Sequence, residues 1–79
     1  MHVVTLETYG KYDKETDTQY MKEFNICVDW LTEYLKEDGW TLSEFLSEYT
    51  WDNSEIVFMK AEALGIPIEV LSAELIAEL

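Results

Sequence analysis

The sequence predicts an α+β fold: an N-terminal β-hairpin followed by three or four short helices, in a single domain over residues 1–79. Three observations carry this. Two alternating segments within the first 26 residues meet in register, a capping box opens a helix at Thr41, and Gly39 and Gly65 stand where two helical patterns stop. The alternative is an all-α chain with one N-terminal strand, in which Tyr20, Phe24, Cys27, Leu31 and Tyr34 form the stripe of a helix running from Asp17 to Lys36.

In the hairpin, Val4, Leu6, Thr8, Gly10 and Tyr12 alternate on one arm and Tyr20, Lys22, Phe24 and Ile26 on the other. Folding about Glu15 in the polar loop Asp13–Asp17 sets Leu6 opposite Phe24 and Val4 opposite Ile26, so both apolar pairs share a face. From Cys27 the period becomes helical. Leu31 and Leu35 face inward, Trp30 and Tyr34 widen the stripe, Asn25 is the candidate cap, and Gly39 supplies a left-handed stop.

Thr41-Leu42-Ser43-Glu44 has the S/T-x-x-E spacing of a capping box, in which the Thr hydroxyl and the Glu carboxylate each take an otherwise unpaired amide. Leu42, Phe45, Leu46 and Tyr49 then share a face. A further helix is expected from Ser54 to Leu64, capped by Asp52, with Asn53 and Ser54 as the other candidates. After Gly65, Pro67 suits a first helical turn and Ile68, Leu71, Leu75 and Leu79 fall on one helical face; the alternative makes 66–71 a third strand against the hairpin.

Composition narrows function. With 79 residues, 48% hydrophobic and 14% aromatic, the chain suits one modest core and not a disordered acidic tail. A single cysteine, Cys27, excludes an intrachain disulfide and a Cys-based zinc site. The start MHVVTLETYG lacks the basic region and apolar core of a signal peptide, and no apolar run approaches a membrane span, so a cytoplasmic protein is expected. Seventeen acids against five lysines, with no arginine, give a formal charge of −12. Such a surface repels nucleic acid and anionic membrane and attracts basic protein surfaces.

No catalytic residue, cofactor site or metal site is expected. His2 is the only histidine, and Cys27 reads as a small core residue; an enzyme would require the two to meet in a pocket with acids. Asp13, Glu15 and Asp17 alternate like the start of a calcium loop, but Thr18 stands where that loop needs Gly and Phe24 where it needs Glu. Of the aromatics, Trp30, Trp40, Tyr49 and Trp51 are assigned mainly to the core, although so small a chain can hardly bury three Trp and five Tyr completely.

Lys60-Ala61-Glu62-Ala63-Leu64-Gly65-Ile66, continued by Leu71, is similar to a helix-turn-helix. Its second helix, however, carries Glu69 and Glu74 and no base, so direct DNA reading is rejected. In size, acidity and want of catalytic residues the chain resembles the small inhibitors of phages and mobile elements, anti-CRISPR and DNA-mimic proteins among them. That resemblance is one of type and carries over no residue; it implies a host nuclease or polymerase as partner.

The expectation is therefore a protein that binds, and inhibits or regulates, a basic nucleic-acid-handling partner by negative-charge mimicry. The candidate contact residues are Asp29, Glu33, Glu37, Glu44, Glu48, Asp52 and Glu55. Carboxylates four residues apart on a helix are separated by a rise of about 6 Å, close to the roughly 7 Å between phosphates along a DNA strand. The alternative is a structural or adaptor module that forms a homodimer through an apolar C-terminal helix, its acids serving solubility.

Overall fold

A computed structural model describes the backbone of residues 2–78 and the side chains of residues 2–71. The chain runs β1 (Val3–Asp13), β2 (Thr18–Cys27), α1 (Val28–Lys36), α2 (Leu42–Glu48), α3 (Trp51–Ala63), β3 (Ile68–Glu78). The strands form one antiparallel sheet in the order β1-β2-β3. The expected hairpin followed by helices is present, with three helices among the described residues.

The hairpin register is the one the apolar pairs demand: Val4 faces Ile26 and Leu6 faces Phe24. It slips between Tyr9 and Tyr12, where Gly10 falls. A Cβ at Gly10 would lie 3.0 Å from the Met21 carbonyl carbon, so a larger residue at the bulge would require the Met21 backbone to give by a few tenths of an ångström. At the tip, the Asp13 carboxylate accepts from the Glu15 N–H at 3.0 Å and Asp17 takes a left-handed φ of 52°.

Leu6, Phe24 and Ile26 join Leu31 and Leu35 of α1, Phe45 of α2, and Val57 and Ala61 of α3 in one buried cluster. Of the four aromatics assigned mainly to the core, Trp30, Trp40 and Tyr49 are half-buried against it, while Trp51 packs instead on Tyr9. Phe58 meets Phe24 edge-to-face at 5.0 Å, and the Lys22 ammonium sits 3.7 Å from the Phe58 ring centroid. The core draws on residues 4–6 and 24–26 of the hairpin, so the helices cover one end of the sheet and the molecule is elongated, 40 × 23 × 19 Å.

Helix ends follow local chemistry. Thr41 and Glu44 form the capping box in full, with N–H···O distances of 3.1 and 3.3 Å. Gly39 (φ 77°) and Gly65 (φ 73°) each close a Schellman motif. At the first, Trp40 and Gly39 N–H reach the Leu35 and Lys36 carbonyls; at the second, Ile66 and Gly65 N–H reach those of Ala61 and Glu62.

Three expectations are corrected. Asn25 does not cap α1. It lies within β2, where its side chain accepts from the Thr5 hydroxyl, and α1 leaves β2 directly at Cys27 with no side-chain cap. Asp52 is not the cap of α3, and the helix does not wait until Ser54. Thr50 caps through its hydroxyl to the Asn53 N–H at 3.2 Å, adding a turn at Trp51.

The C-terminal helix is not formed. Ile68–Glu78 is a strand on β2, with Ile68 facing Ile26 and Val70 facing Phe24. Ile66, Ile68 and Val70 alternate and are β-branched, Pro67 lies just before the strand where its missing N–H is harmless, and a two-stranded hairpin alone is marginal. The expected face was Ile68, Leu71, Leu75 and Leu79; the side chains of its last two members lie outside the described residues.

Candidate functional site

On α1, Asp29 and Glu33 are exposed, and Glu37 follows at a C-cap that keeps helical geometry (φ −61°, ψ −30°). The three carboxylates thus stand in one column about 12 Å long. Within it only Glu33 is paired, to Lys36 at 3.3 Å, with both side chains more than 60% exposed. A pair so open to solvent adds little stability. It is the only ion pair among the described residues.

The other expected contact residues lie in different settings. Glu44 is partly committed, because its carboxylate accepts from the Thr41 N–H. Glu48, exposed, is the last residue of α2. Asp52 and Glu55, in the first turns of α3, reach the edge of β1. There the Asp52 charge, then partial burial, a hydrogen bond to Asp52 and the Glu55 charge raise the Tyr9 phenol above its ordinary value of 10.0. Tyr9 packs edge-to-face on Trp51 at 5.4 Å.

The same junction covers the outer edge of β1. The Glu7 N–H donates to the Tyr49 hydroxyl at 3.3 Å, and the Thr8 hydroxyl donates to the Trp51 carbonyl at 2.9 Å. Glu33 and Glu37 instead line a groove between α1 and α3 with Trp30, Tyr34, Lys60 and Leu64. The seven acids are therefore not one continuous column; three form the α1 column, and the rest are divided between α2 and the α3–β1 junction.

Two features were not anticipated from the sequence. Glu7 and Glu23 lie directly opposite each other on the sheet face away from the helices, and Glu69 shares that face on β3, opposite Asn25. The register that pairs Leu6 with Phe24 implies the first of these, since each following residue pairs in turn. The other is on α3, which is apolar on two sides: Val57 and Ala61 are buried, while Ile56 is 57% and Met59 60% exposed. Val and Ile one residue apart point in different directions on a helix, which a simple count of apolar residues conceals.

His2 and Cys27 do not meet. Val3 is the residue opposite Cys27, and the His2 carbonyl accepts from the Val28 N–H. Alternation along the strand therefore sends the two side chains to opposite faces. No group of three or more His, Cys, Asp or Glu side chains suited to a metal ion occurs among the described residues, and no described helix is long and apolar enough to cross a membrane. No protein-family model, curated protein or solved structure matches this chain.

Proposed function

We propose that this protein binds a basic, nucleic-acid-handling protein and inhibits or regulates it by presenting carboxylates in place of phosphates, as anti-defence inhibitors of the phage type do. The observation that carries this reading is the α1 column Asp29, Glu33, Glu37, neutralised at one position by one exposed lysine. Like charges four apart destabilise a helix by roughly 0.2–0.5 kcal/mol per pair. Solubility alone requires charge but not charge in a column.

Pull-down from a bacterial lysate tests the reading, using the wild type and an Asp29→Lys, Glu33→Lys, Glu37→Lys variant at low and high salt. Glu44 is left in place because changing it would also remove a helix cap. The expected result is capture of a nucleic-acid-binding protein that salt, an excess of duplex DNA, or the variant abolishes. Capture that is indifferent to all three overturns the reading.

A second reading, self-association, is favoured by β3. It is an edge strand with Val70 54% and Leu71 46% exposed, so the surface offered to a second copy is a strand edge and not a helix. A sedimentation profile that remains dimeric in high salt supports it; a monomer at every salt concentration removes it.

A further inference from the structure

We propose that the outward side of α3 and the groove it shares with α1 form a docking site for a cationic amphipathic helix of a protein partner. The proposal rests on the reading that the partner is basic, and adds which element of the partner is held and where. Ile56, Met59, Lys60 and Ala63 follow one another at helical spacing on the solvent side of α3 and line a shallow apolar depression. On α1 the exposed positions Asp29, Glu33, Lys36 and Glu37 are all charged. The apolar surface of α3 is therefore a departure from this protein's own pattern.

The depression shares lining residues with two others. Lys60 also lines the groove that contains Leu64, 58% exposed, and the stacked pair Trp30 and Tyr34, whose ring centroids are 5.0 Å apart. Tyr34 and Ile56 both line a third depression with Asp38 and Trp40. Flexible Met and flat aromatic side chains adapt to an inserted apolar ridge.

Charge selects the occupant. Glu33, Glu37 and Asp38 border this surface and outnumber Lys36 and Lys60 there, in a chain of net charge −12, so a second copy would bring a net like charge to the same rim. A helix with an apolar ridge flanked by Lys or Arg satisfies both the apolar floor and the acidic border. From Ile56 to Leu64 the floor is about 12 Å long, which matches about two turns of such a helix.

The probe is a Trp-free Leu/Lys peptide of about 18 residues, five helical turns, patterned to be amphipathic. A peptide of identical composition in scrambled order is the control, and tryptophan fluorescence is read near physiological salt. The patterned peptide is expected to bind at least tenfold more tightly than the scrambled one, and that advantage is expected to vanish in an Ile56→Ser, Met59→Ser variant. Both positions are more than half exposed, so the variant should melt like the wild type; Leu64→Ser provides an independent variant at the groove.

Equal affinity for the two peptides, or an advantage untouched by both variants, overturns the proposal. The lysate experiment separates this from the charge reading. Partner capture lost on reversing the α1 acids but retained in Ile56→Ser, Met59→Ser overturns the groove and leaves the charge reading standing. Capture lost in the serine variant and retained after charge reversal overturns the charge reading and, with it, the cationic occupant proposed for the groove.

Discussion

Replacing Ser54 by Ala is expected to stabilise the protein, although it deletes a polar group from the middle of the fold. Ser54 is fully buried on α3, and its hydroxyl has no hydrogen-bond partner among the described residues. A buried hydroxyl left unpaired costs about 1–3 kcal/mol relative to one satisfied in water. Removing it recovers that cost, and the better helix propensity of Ala adds up to about 0.5 kcal/mol. Against this stands the loss of one oxygen's packing contacts, each about 0.1–0.2 kcal/mol. The net expectation is a gain of about 1 kcal/mol. At roughly 2.1 cal/mol/K per residue, a chain of 79 residues has an unfolding entropy near 170 cal/mol/K, so 1 kcal/mol corresponds to about 6 °C. Thermal melts followed by circular dichroism at 222 nm measure this directly. Ser47→Ala is the control: its hydroxyl is exposed and donates to the Ser43 carbonyl at 2.9 Å, so its effect should stay within about 0.5 kcal/mol. A Tm for Ser54→Ala that is unchanged or lower would refute the reasoning, because it would mean that the hydroxyl is satisfied in the folded protein.

Thr41→Ala removes one half of a complete capping box and should cost about 1 kcal/mol in urea denaturation, with a slope unchanged from wild type. Glu23→Lys converts a like-charge pair with Glu7 into an opposite-charge pair and should raise stability by roughly 0.2–1 kcal/mol, a gain that shrinks in high salt. Ultraviolet titration should find the Tyr9 phenol ionising above 10.0 in the wild type and closer to that value in Asp52→Asn. Since the folded state raises this pKa, the contribution to stability is complete below about pH 10 and is lost as pH rises through the folded value, so the alkaline limb of the wild type should be the steeper one.

The parts of the fold that were legible were those decided within a few residues of chain. The pairs Val4–Ile26 and Leu6–Phe24 needed only alternation and a polar turn, the cap at Thr41 needed only Glu44 at the right spacing, and the stops at Gly39 and Gly65 needed only a left-handed residue. The strand β3 was harder. Ile68, Leu71, Leu75 and Leu79 satisfy helical periodicity, and what overrides it is the unpaired edge of β2, a long-range demand that no local window contains. Thr50 was passed over because Asp52 and Asn53 are equally good capping residues nearby, and the choice depends on Trp51 being placed against Tyr9. Of the candidate contact residues, the α1 column could be read from spacing alone. The neighbourhood of Asp52, Glu55 and Tyr9 could not, because it arises from α3 packing beside β1.

Where this chain breaks local rules without local compensation is informative about where its function lies. A column on α1 neutralised at only one position, paired glutamates across β1 and β2, and large apolar side chains turned outward on α3 each oppose folding or solubility. Their energetic weight is tolerable: the like-charge pairs cost roughly 0.2–1 kcal/mol each, against a total stability of about 4–12 kcal/mol for a domain of this length. Chance alone could supply any one of them in a chain with 17 acids. Two of the three, however, meet on one side of the molecule, because Glu33 and Glu37 line the same groove as Lys60 of α3 and Leu64 at its C-cap. The glutamate pair on the opposite face of the sheet is the exception, and it separates two accounts of the acidity. If charge were spread only for solubility, reversing Glu23 or reversing Glu33 should have equivalent effects on binding. If the α1–α3 side is the interface, Glu23→Lys should stabilise the fold and leave partner capture intact, while Glu33→Lys should leave the fold intact and weaken capture.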